Sequence, residues 1–170
     1  MKNRNPALLS FKPIESGDLR RLLDLARQDR HAFFQKYPEW ARLYADRVIG
    51  VALCQGAAVH YTDTTAGIND FDVYTFFAAH PERRWYSKRL KSVDFGNPKF
   101  GQSEISRPGF QGRRVDLMSR AIEVVPGADL ADTVRRWLSA GASETARELS
   151  KKAVVLLEPE DRLGTVVWPI

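Results

Sequence analysis

Apolar residues recur through the first quarter of the chain with the spacing of an amphipathic helix. Ser16 can cap this helix, and the arginines and aspartates between the apolar positions fall on its opposite face. Pro38 interrupts the pattern and predicts the first turn of a second helix. Residues 1–15 show no such period, so we expect an irregular N-terminal arm. The apolar face of the first helix consists of Leu19, Leu22, Leu23 and Ala26.

Short runs of β-forming residues predict the strands of a sheet. Residues 48–53 are almost entirely apolar, as in a strand buried on both faces. Residues 71–78 are rich in aromatic and β-branched side chains, and residues 114–119 resume an alternating strand. Between the first two runs, residues 56–67 predict a loop or a short helix.

The other segments complete an α/β (α+β) architecture. Residues 81–112 are polar, basic and rich in proline and glycine, which predicts strand fragments joined by turns. Residues 126–170 predict two helices followed by a terminal hairpin. We therefore expect one domain over residues 16–170, with a core at about 40–125, in which helices flank a mixed β-sheet.

Charge and composition narrow the classes of function. The chain has 26 Lys and Arg against 21 Asp and Glu, a net charge of +5 and a sequence pI near 9.5. A basic protein suits an anionic partner such as a nucleotide or nucleic acid, although a solvated surface explains the same excess of basic residues.

No apolar run approaches the roughly 18 residues of a membrane span. With a single cysteine, Cys54, and no signal peptide, we expect a cytoplasmic protein without membrane contact.

Two carboxylates open the second predicted strand. Asp70 and Asp72 are two residues apart, so their side chains point to the same side of the strand. Adjacent carboxylates repel each other unless a cation lies between them, and oxygen ligands suit Mg²⁺ or Mn²⁺. Asp116 lies in the later strand and completes a three-carboxylate site if the two strands are neighbours. An ordinary solvent-facing aspartate is the alternative at each position.

The order of these motifs resembles that of the nucleotidyltransferase superfamily, the DNA polymerase beta-like fold. An apolar strand ends in the glycine turn Gln55-Gly56-Ala57, the acidic pair Asp70-Phe71-Asp72 follows, and Val115-Asp116-Leu117 stands at the third carboxylate position. The resemblance covers about residues 40–125. It implies a nucleotidyltransferase-like core, two-metal catalysis by the three aspartates, and transfer of a nucleotidyl group from a nucleoside triphosphate to a hydroxyl acceptor. A metal-dependent nuclease would use the same carboxylates, but no motif supports it.

The glycine turn departs from the family pattern at Ala57, where Ser or Gly is usual. The backbone N–H of Ala57 can still bind a phosphate at a helix N-terminus. We predict that Gly56, Ala57 and His60 contact the nucleotide. The alternatives are that Gly56 only permits the turn and that His60 is a partly buried loop residue. The missing hydroxyl keeps a second hypothesis open, namely a non-catalytic module on the same fold that binds RNA or a protein partner.

A basic and aromatic segment extends from Arg83 to Lys91. Its cations can hold phosphates while Trp85 or Tyr86 stacks on a base. On this basis we predict Arg83 and Arg84 to be nucleotide-binding residues. An edge strand protected by charged side chains explains the same pattern.

Four further cations lie near the predicted site. Arg113 and Arg114 stand beside Asp116 and could pair with carboxylates or with phosphates. Lys151 and Lys152 could reach a triphosphate, with a solvated helix end as the alternative.

Overall fold

Six β-strands form one mixed sheet in the computed structural model, which describes residues 9–85, 89–102 and 109–169. The strands are β1 (Val48–Cys54), β2 (Phe71–Ala78), β3 (Leu90–Asp94), β4 (Arg114–Ile122), β5 (Val154–Glu158) and β6 (Val166–Trp168). Their order across the sheet is β3-β4-β2-β1-β5-β6. β2 and β4 are parallel, and the other neighbouring strands are antiparallel. The predicted mixed sheet is confirmed.

Helices cover both faces of the sheet, as an α/β fold requires. They are α1 (Ser16–Lys36), α2 (Pro38–Tyr44), α3 (Gln55–Asp63), α4 (Leu130–Ala140) and α5 (Glu144–Leu149). α1 and α3 pack on the face that contains Val73 and Leu117, whereas α4 and α5 pack on the face that contains Tyr74 and Phe76. Even-numbered residues of β2 and β4 therefore lie on the α4 side. No helix within the described ranges is long and apolar enough to cross a membrane.

Local sequence signals set most element boundaries. Glu15, rather than the predicted Ser16, caps α1, because the Asp18 carboxylate accepts a hydrogen bond from the Glu15 N–H at 2.8 Å. Pro38 occupies the first turn of α2, and the Ser143 hydroxyl caps α5. β5 and β6 pair in antiparallel fashion, which confirms the predicted terminal hairpin.

The proline- and glycine-rich segment contributes one strand, β3, in its described part. The Asp94 carboxylate ends this strand and accepts hydrogen bonds from the backbone N–H groups of Gly96, Gln111 and Gly112, at 2.9, 2.8 and 2.9 Å. Burial raises the pKa of Asp94, but the three backbone donors outweigh it and the net shift is downward. Asp94 thus joins the two ends of the loop between β3 and β4 and holds β3 against β4. Predictions that fall on residues 86–88, including Tyr86, and on residues 103–108 lie outside the described residues.

Candidate metal-binding site

The parallel pairing of β2 with β4 brings the three predicted aspartates together. Asp72 and Asp116 are direct partners in the strand register, and Asp70 immediately precedes β2. Each contributes one carboxylate oxygen to a group whose members all lie within 4.8 Å of one another. The predicted convergence is confirmed, and the cluster could hold a metal ion.

The cluster lies at the sheet edge where β1 ends and β2, β4 and β5 begin. Cys54, the last residue of β1, pairs with Asp72 on one side and with Val154 of β5 on the other. Asp116 is only 8% exposed, whereas Asp70 and Asp72 are partly exposed. The carboxylates are therefore reached from one side, the side of Asp70 and Asp72.

Arg114 inserts a positive charge among the carboxylates. It lies two residues before Asp116 on the same face of β4, and its Nη2 is 3.1 Å from Asp70 Oδ2. Its Nε is 3.2 Å from Asp116 Oδ1, yet this buried nitrogen makes no aligned hydrogen bond with any described residue. The Ser92 hydroxyl of β3 donates to the same Asp116 oxygen at 2.7 Å. Asp116 is thus held from two directions, and the predicted carboxylate pairing of Arg114 is confirmed.

Arg113 supports the loop that carries Asp70. Its side chain points to the opposite face of β4, where the residue is only 3% exposed. Its Nε donates to the Phe100 carbonyl at 2.7 Å, and its Nη1 donates to the Asn69 carbonyl at 3.2 Å. Burial lowers the pKa of Arg113, and the charge of Asp70 partly offsets this effect. Arg113 therefore fixes the backbone just before Asp70 rather than binding a ligand.

A pocket of about 320 Å³ opens beside the carboxylates. Its walls include Asp70, Asp72, the first residues of α3 (55–57) and the Lys152 side chain, which comes from the turn before β5. The pocket thus places carboxylates, a helix N-terminus and a cation around one space. Gly56 and Ala57 are brought to the site as the sequence predicted, and Lys152, for which the sequence favours a solvated helix end, also lines the pocket.

Gln55 introduces local strain at this pocket. It has a φ of 61°, in the left-handed region that residues other than glycine seldom occupy. Such conformations persist where the surrounding structure enforces them, and they cluster at functional sites. Here the conformation turns the chain sharply from the end of β1 into α3, so that the helix begins beside Asp72.

Two neutral groups lie against the cluster. Burial, aided by the charges of Asp72 and Asp116 and opposed by Arg120, raises the pKa of Tyr74 to about 12. Tyr74 therefore contributes an uncharged hydroxyl to the pocket at neutral pH. Cys54 is fully buried and burial raises the pKa of its thiol, so Cys54 is a packing residue rather than a nucleophile.

His60 lies beneath the pocket rather than in its wall. It is completely buried, and its Nδ1 accepts a hydrogen bond from the Gly67 N–H at 3.1 Å. Its Nε2 therefore carries the proton and donates to the Lys12 carbonyl at 2.9 Å. His60 joins α3 to the N-terminal segment, which also pairs with the loop through a bridge between Ser10 and Ile68. The structure does not bring the predicted nucleotide contact of His60 to the pocket.

We expect His60→Ala to lower stability without changing ligand affinity. The substitution leaves the buried Gly67 N–H and the Lys12 carbonyl without their partner, which costs about 2–3 kcal/mol of unfolding free energy in urea titrations. His31→Ala, at an exposed position of α1, is the matched control and should change stability by less than about 0.5 kcal/mol. A folded His60→Ala protein with unchanged stability and weakened nucleotide binding would show that His60 contacts the nucleotide.

Arg83 and Arg84 follow the far end of β2 and are not brought to the pocket. Asp72 is near the start of this strand, and the six residues from there to its end at Ala78 span roughly 20 Å. The Arg83 guanidinium lies over the Trp40 ring, with its Cζ 4.3 Å from the centroid. Trp85, the predicted stacking residue, is only 8% exposed and belongs to an aromatic cluster. This part of the basic segment is therefore separate from the carboxylate site.

Comparison of the chain with protein-family models, with curated proteins and with solved structures finds no match. The functional assignment therefore depends on the chemistry of the site itself. That chemistry consists of three converging carboxylates, an arginine between them, and a pocket with one lysine and a helix N-terminus.

Proposed function

We propose that the protein is a nucleotidyltransferase that uses Mg²⁺ or Mn²⁺ to move a nucleotidyl group from a nucleoside triphosphate to a hydroxyl acceptor. The observation that carries the proposal is the convergence of Asp70, Asp72 and Asp116 from two adjacent parallel strands. The motif order of the nucleotidyltransferase superfamily, read from the sequence, agrees with this arrangement.

The carboxylate cluster has the chemistry that hard divalent ions require. Its three members supply only oxygen, the ligand that Mg²⁺ and Mn²⁺ prefer. They project from hydrogen-bonded strands, so little ordering is needed to assemble them. When bound, two ions would promote ionisation of the acceptor hydroxyl and offset the charge of the leaving pyrophosphate.

The transfer step assigns different roles to the aspartates. The acceptor oxygen forms a bond to the α-phosphorus, and the bond from that phosphorus to the β-bridging oxygen breaks. Pyrophosphate leaves with the electron pair of that bond. Asp116, held in place by Ser92 and Arg114, accepts the proton of the acceptor hydroxyl. Asp70 and Asp72, on the open side, would hold the ions together with Asp116, and these ions would offset the charge of the triphosphate.

The triphosphate would lie across the start of α3 and Lys152. Backbone N–H groups at a helix N-terminus bind phosphate oxygens, which gives Gly56 and Ala57 a role that needs no side chain. Lys152 lines the same pocket, and its positive charge would hold the triphosphate. The serine hydroxyl that the family usually has at position 57 is missing here. This cation compensates for the departure from the family pattern.

We expect Lys152→Gln to weaken triphosphate binding by about tenfold or more, because it removes a charge-assisted hydrogen bond. Lys151→Gln is the matched control, since Lys151 pairs with Glu148 at 2.8 Å and does not line the pocket. Titration calorimetry with a non-hydrolysable triphosphate measures the difference. Equal affinities for the two variants would exclude Lys152 from the binding site.

The direct test of the function is incorporation of labelled nucleotide. Purified protein with Mg²⁺ or Mn²⁺, each labelled triphosphate, and total cellular RNA or protein should label one acceptor pool. Asp70→Asn should prevent this labelling while the variant stays folded. Transfer that persists in Asp70→Asn would refute the assignment of the site.

A non-catalytic module that binds RNA or a protein partner is the second candidate function. The arginine between the carboxylates favours it, because Arg114 already supplies a positive charge against Asp70 and Asp116. Ala57 favours it as well. The two candidates differ in what Arg114 does when a divalent ion is supplied.

A further inference from the structure

A second groove, of about 520 Å³, lies on the α1 side of the sheet, away from the carboxylates. It runs between the C-terminal half of α1, the start of α2 and the β3 edge. Three aromatic rings and three cationic side chains line it, the cations coming from the end of α1, from β3 and from the residue just before β3. These residues are Phe33, Tyr37, Trp40, Lys36, Arg89 and Lys91.

Aromatic rings position the cations of this groove. Of the five cation–π contacts in the described part of the chain, three involve rings that line the groove. The distances to the ring centroids are 5.5, 4.3 and 4.4 Å for Lys36 on Tyr37, Arg83 on Trp40 and Arg89 on Phe33. A ring attracts a cation through its quadrupole and, unlike a carboxylate, leaves the positive charge uncancelled.

The charges of the groove do not cancel. Arg89 is neutralised by Asp29 through two hydrogen bonds of 2.7 Å. Lys36, Arg83 and Lys91 have no ion pair with a carboxylate among the residues that the structure describes. Lys36 and Lys91 therefore give the groove two uncompensated positive charges, and Arg83, over the Trp40 ring, adds a third beside it.

We propose that this groove binds single-stranded RNA and that the RNA is the acceptor of the proposed transfer reaction. Phosphates would contact Lys36, Arg83 and Lys91, and a base would stack on Tyr37, which is 43% exposed. Cations combined with stacking surface are the means by which proteins bind single strands without reading their sequence. The binding site stands on its own contacts, whereas the acceptor role rests on the proposed function.

The β3 edge connects the groove to the carboxylates. Lys91 and Ser92 are consecutive residues of this strand, so their side chains lie on opposite faces of the sheet. Lys91 lines the groove, and Ser92 donates its hydroxyl proton to Asp116. Because β3 is the outermost strand, an RNA strand in the groove can pass around this edge and continue across β4 to the open side of the carboxylate cluster, at Asp70 and Asp72.

The test is fluorescence anisotropy with a labelled 12-nucleotide uridine RNA and the full chain. Tyr37→Ala should weaken binding by about fivefold or more, because the base no longer stacks on a ring. Lys36→Ala with Lys91→Ala should reduce the slope of log Kd against log salt by about 0.7 for each phosphate that the protein no longer binds. Phe11→Ala, an aromatic residue 52% exposed elsewhere, and Lys151→Ala are the matched controls and should leave binding unchanged. Circular dichroism melting establishes that each variant is folded.

Several results would overturn the inference. Groove variants that bind the RNA as tightly as the controls would exclude the groove, and so would a 12-residue polyglutamate that competes as well as the RNA. Asp72→Asn separates this inference from the proposed function, since it should lose transfer and retain RNA binding. Groove-dependent RNA binding without transfer by the wild-type protein would retain the binding site and remove its acceptor role. Transfer by a protein that binds no RNA would exclude RNA binding by the groove and retain the proposed nucleotidyltransferase function.

Discussion

Asp72→Asn should abolish nucleotidyl transfer in a protein that stays folded. Asp72 is the in-register partner of Asp116 and lines the pocket, so its loss removes a ligand from the centre of the cluster. Substituting residues that only orient the ligands of a metal costs roughly 10–100-fold in affinity or activity, so replacing a ligand should cost at least about 100-fold. The rate of labelled nucleotide incorporation under saturating Mg²⁺ measures this loss.

Stability supplies an independent readout for the same variant. Mg²⁺ or Mn²⁺ at millimolar concentration should raise the melting temperature of the wild-type protein, because an ion that binds only the folded state stabilises it. Asp72→Asn should remove most of that increase. Asp24→Asn, an exposed carboxylate on α1, is the matched control and should respond to metal as the wild type does. Identical metal-induced shifts in the two variants would mean that the aspartate cluster is not the metal site.

The acidic pair shows how much of the site the local sequence pattern can predict. The two-residue spacing of Asp70 and Asp72 determines that both side chains share one face, and this needs no tertiary information. The position of Asp116 depends on the pairing of β2 with β4, strands that are about forty residues apart in sequence. The sequence predicted the site on condition that these strands are neighbours, and the structure meets that condition.

Residues whose roles depend on long-range packing were harder to place. The sequence gives no sign that Ser92 contacts Asp116, because that contact requires β3 to pair with β4. Tyr74 could have been found, since it lies two residues after Asp72 and alternation puts it on the same face. The sequence predicts His60 at the site because it lies just past the glycine turn, and Arg83 because it belongs to a basic and aromatic segment. The helix geometry of α3 and the length of β2 place them elsewhere.

Arg114 decides what kind of site the cluster is. Its guanidinium contacts Asp70 Oδ2 and Asp116 Oδ1, at 3.1 and 3.2 Å, and so neutralises part of the repulsion among three carboxylates. A divalent ion held by these carboxylates would lie close to the guanidinium, and the two positive charges would repel each other. Arginine and metal must therefore compete, unless the guanidinium moves toward the triphosphate when the metal binds.

Arg114→Gln should consequently bind Mn²⁺ about tenfold more tightly than the wild type, in titrations followed by calorimetry or by Mn²⁺ electron paramagnetic resonance. The metal-free variant should be less stable by about 1–3 kcal/mol, because the carboxylates lose their internal counter-charge. Arg114→Lys, which retains the charge, should bind Mn²⁺ with an affinity closer to that of the wild type. Arg120→Gln is the matched control, since Arg120 lies on the same face of β4 and contacts Thr145 and Tyr74 instead.

The Mn²⁺ titration also discriminates between the two proposed functions. Measurable Mn²⁺ binding by the wild type, strengthened in Arg114→Gln, fits an enzyme in which the arginine is displaced during each catalytic cycle. Binding seen only in Arg114→Gln fits a non-catalytic module, in which the arginine has permanently replaced the ion. If Arg114→Gln binds Mn²⁺ as the wild type does, or more weakly, then the arginine does not compete with metal and acts only to hold Asp116 in position.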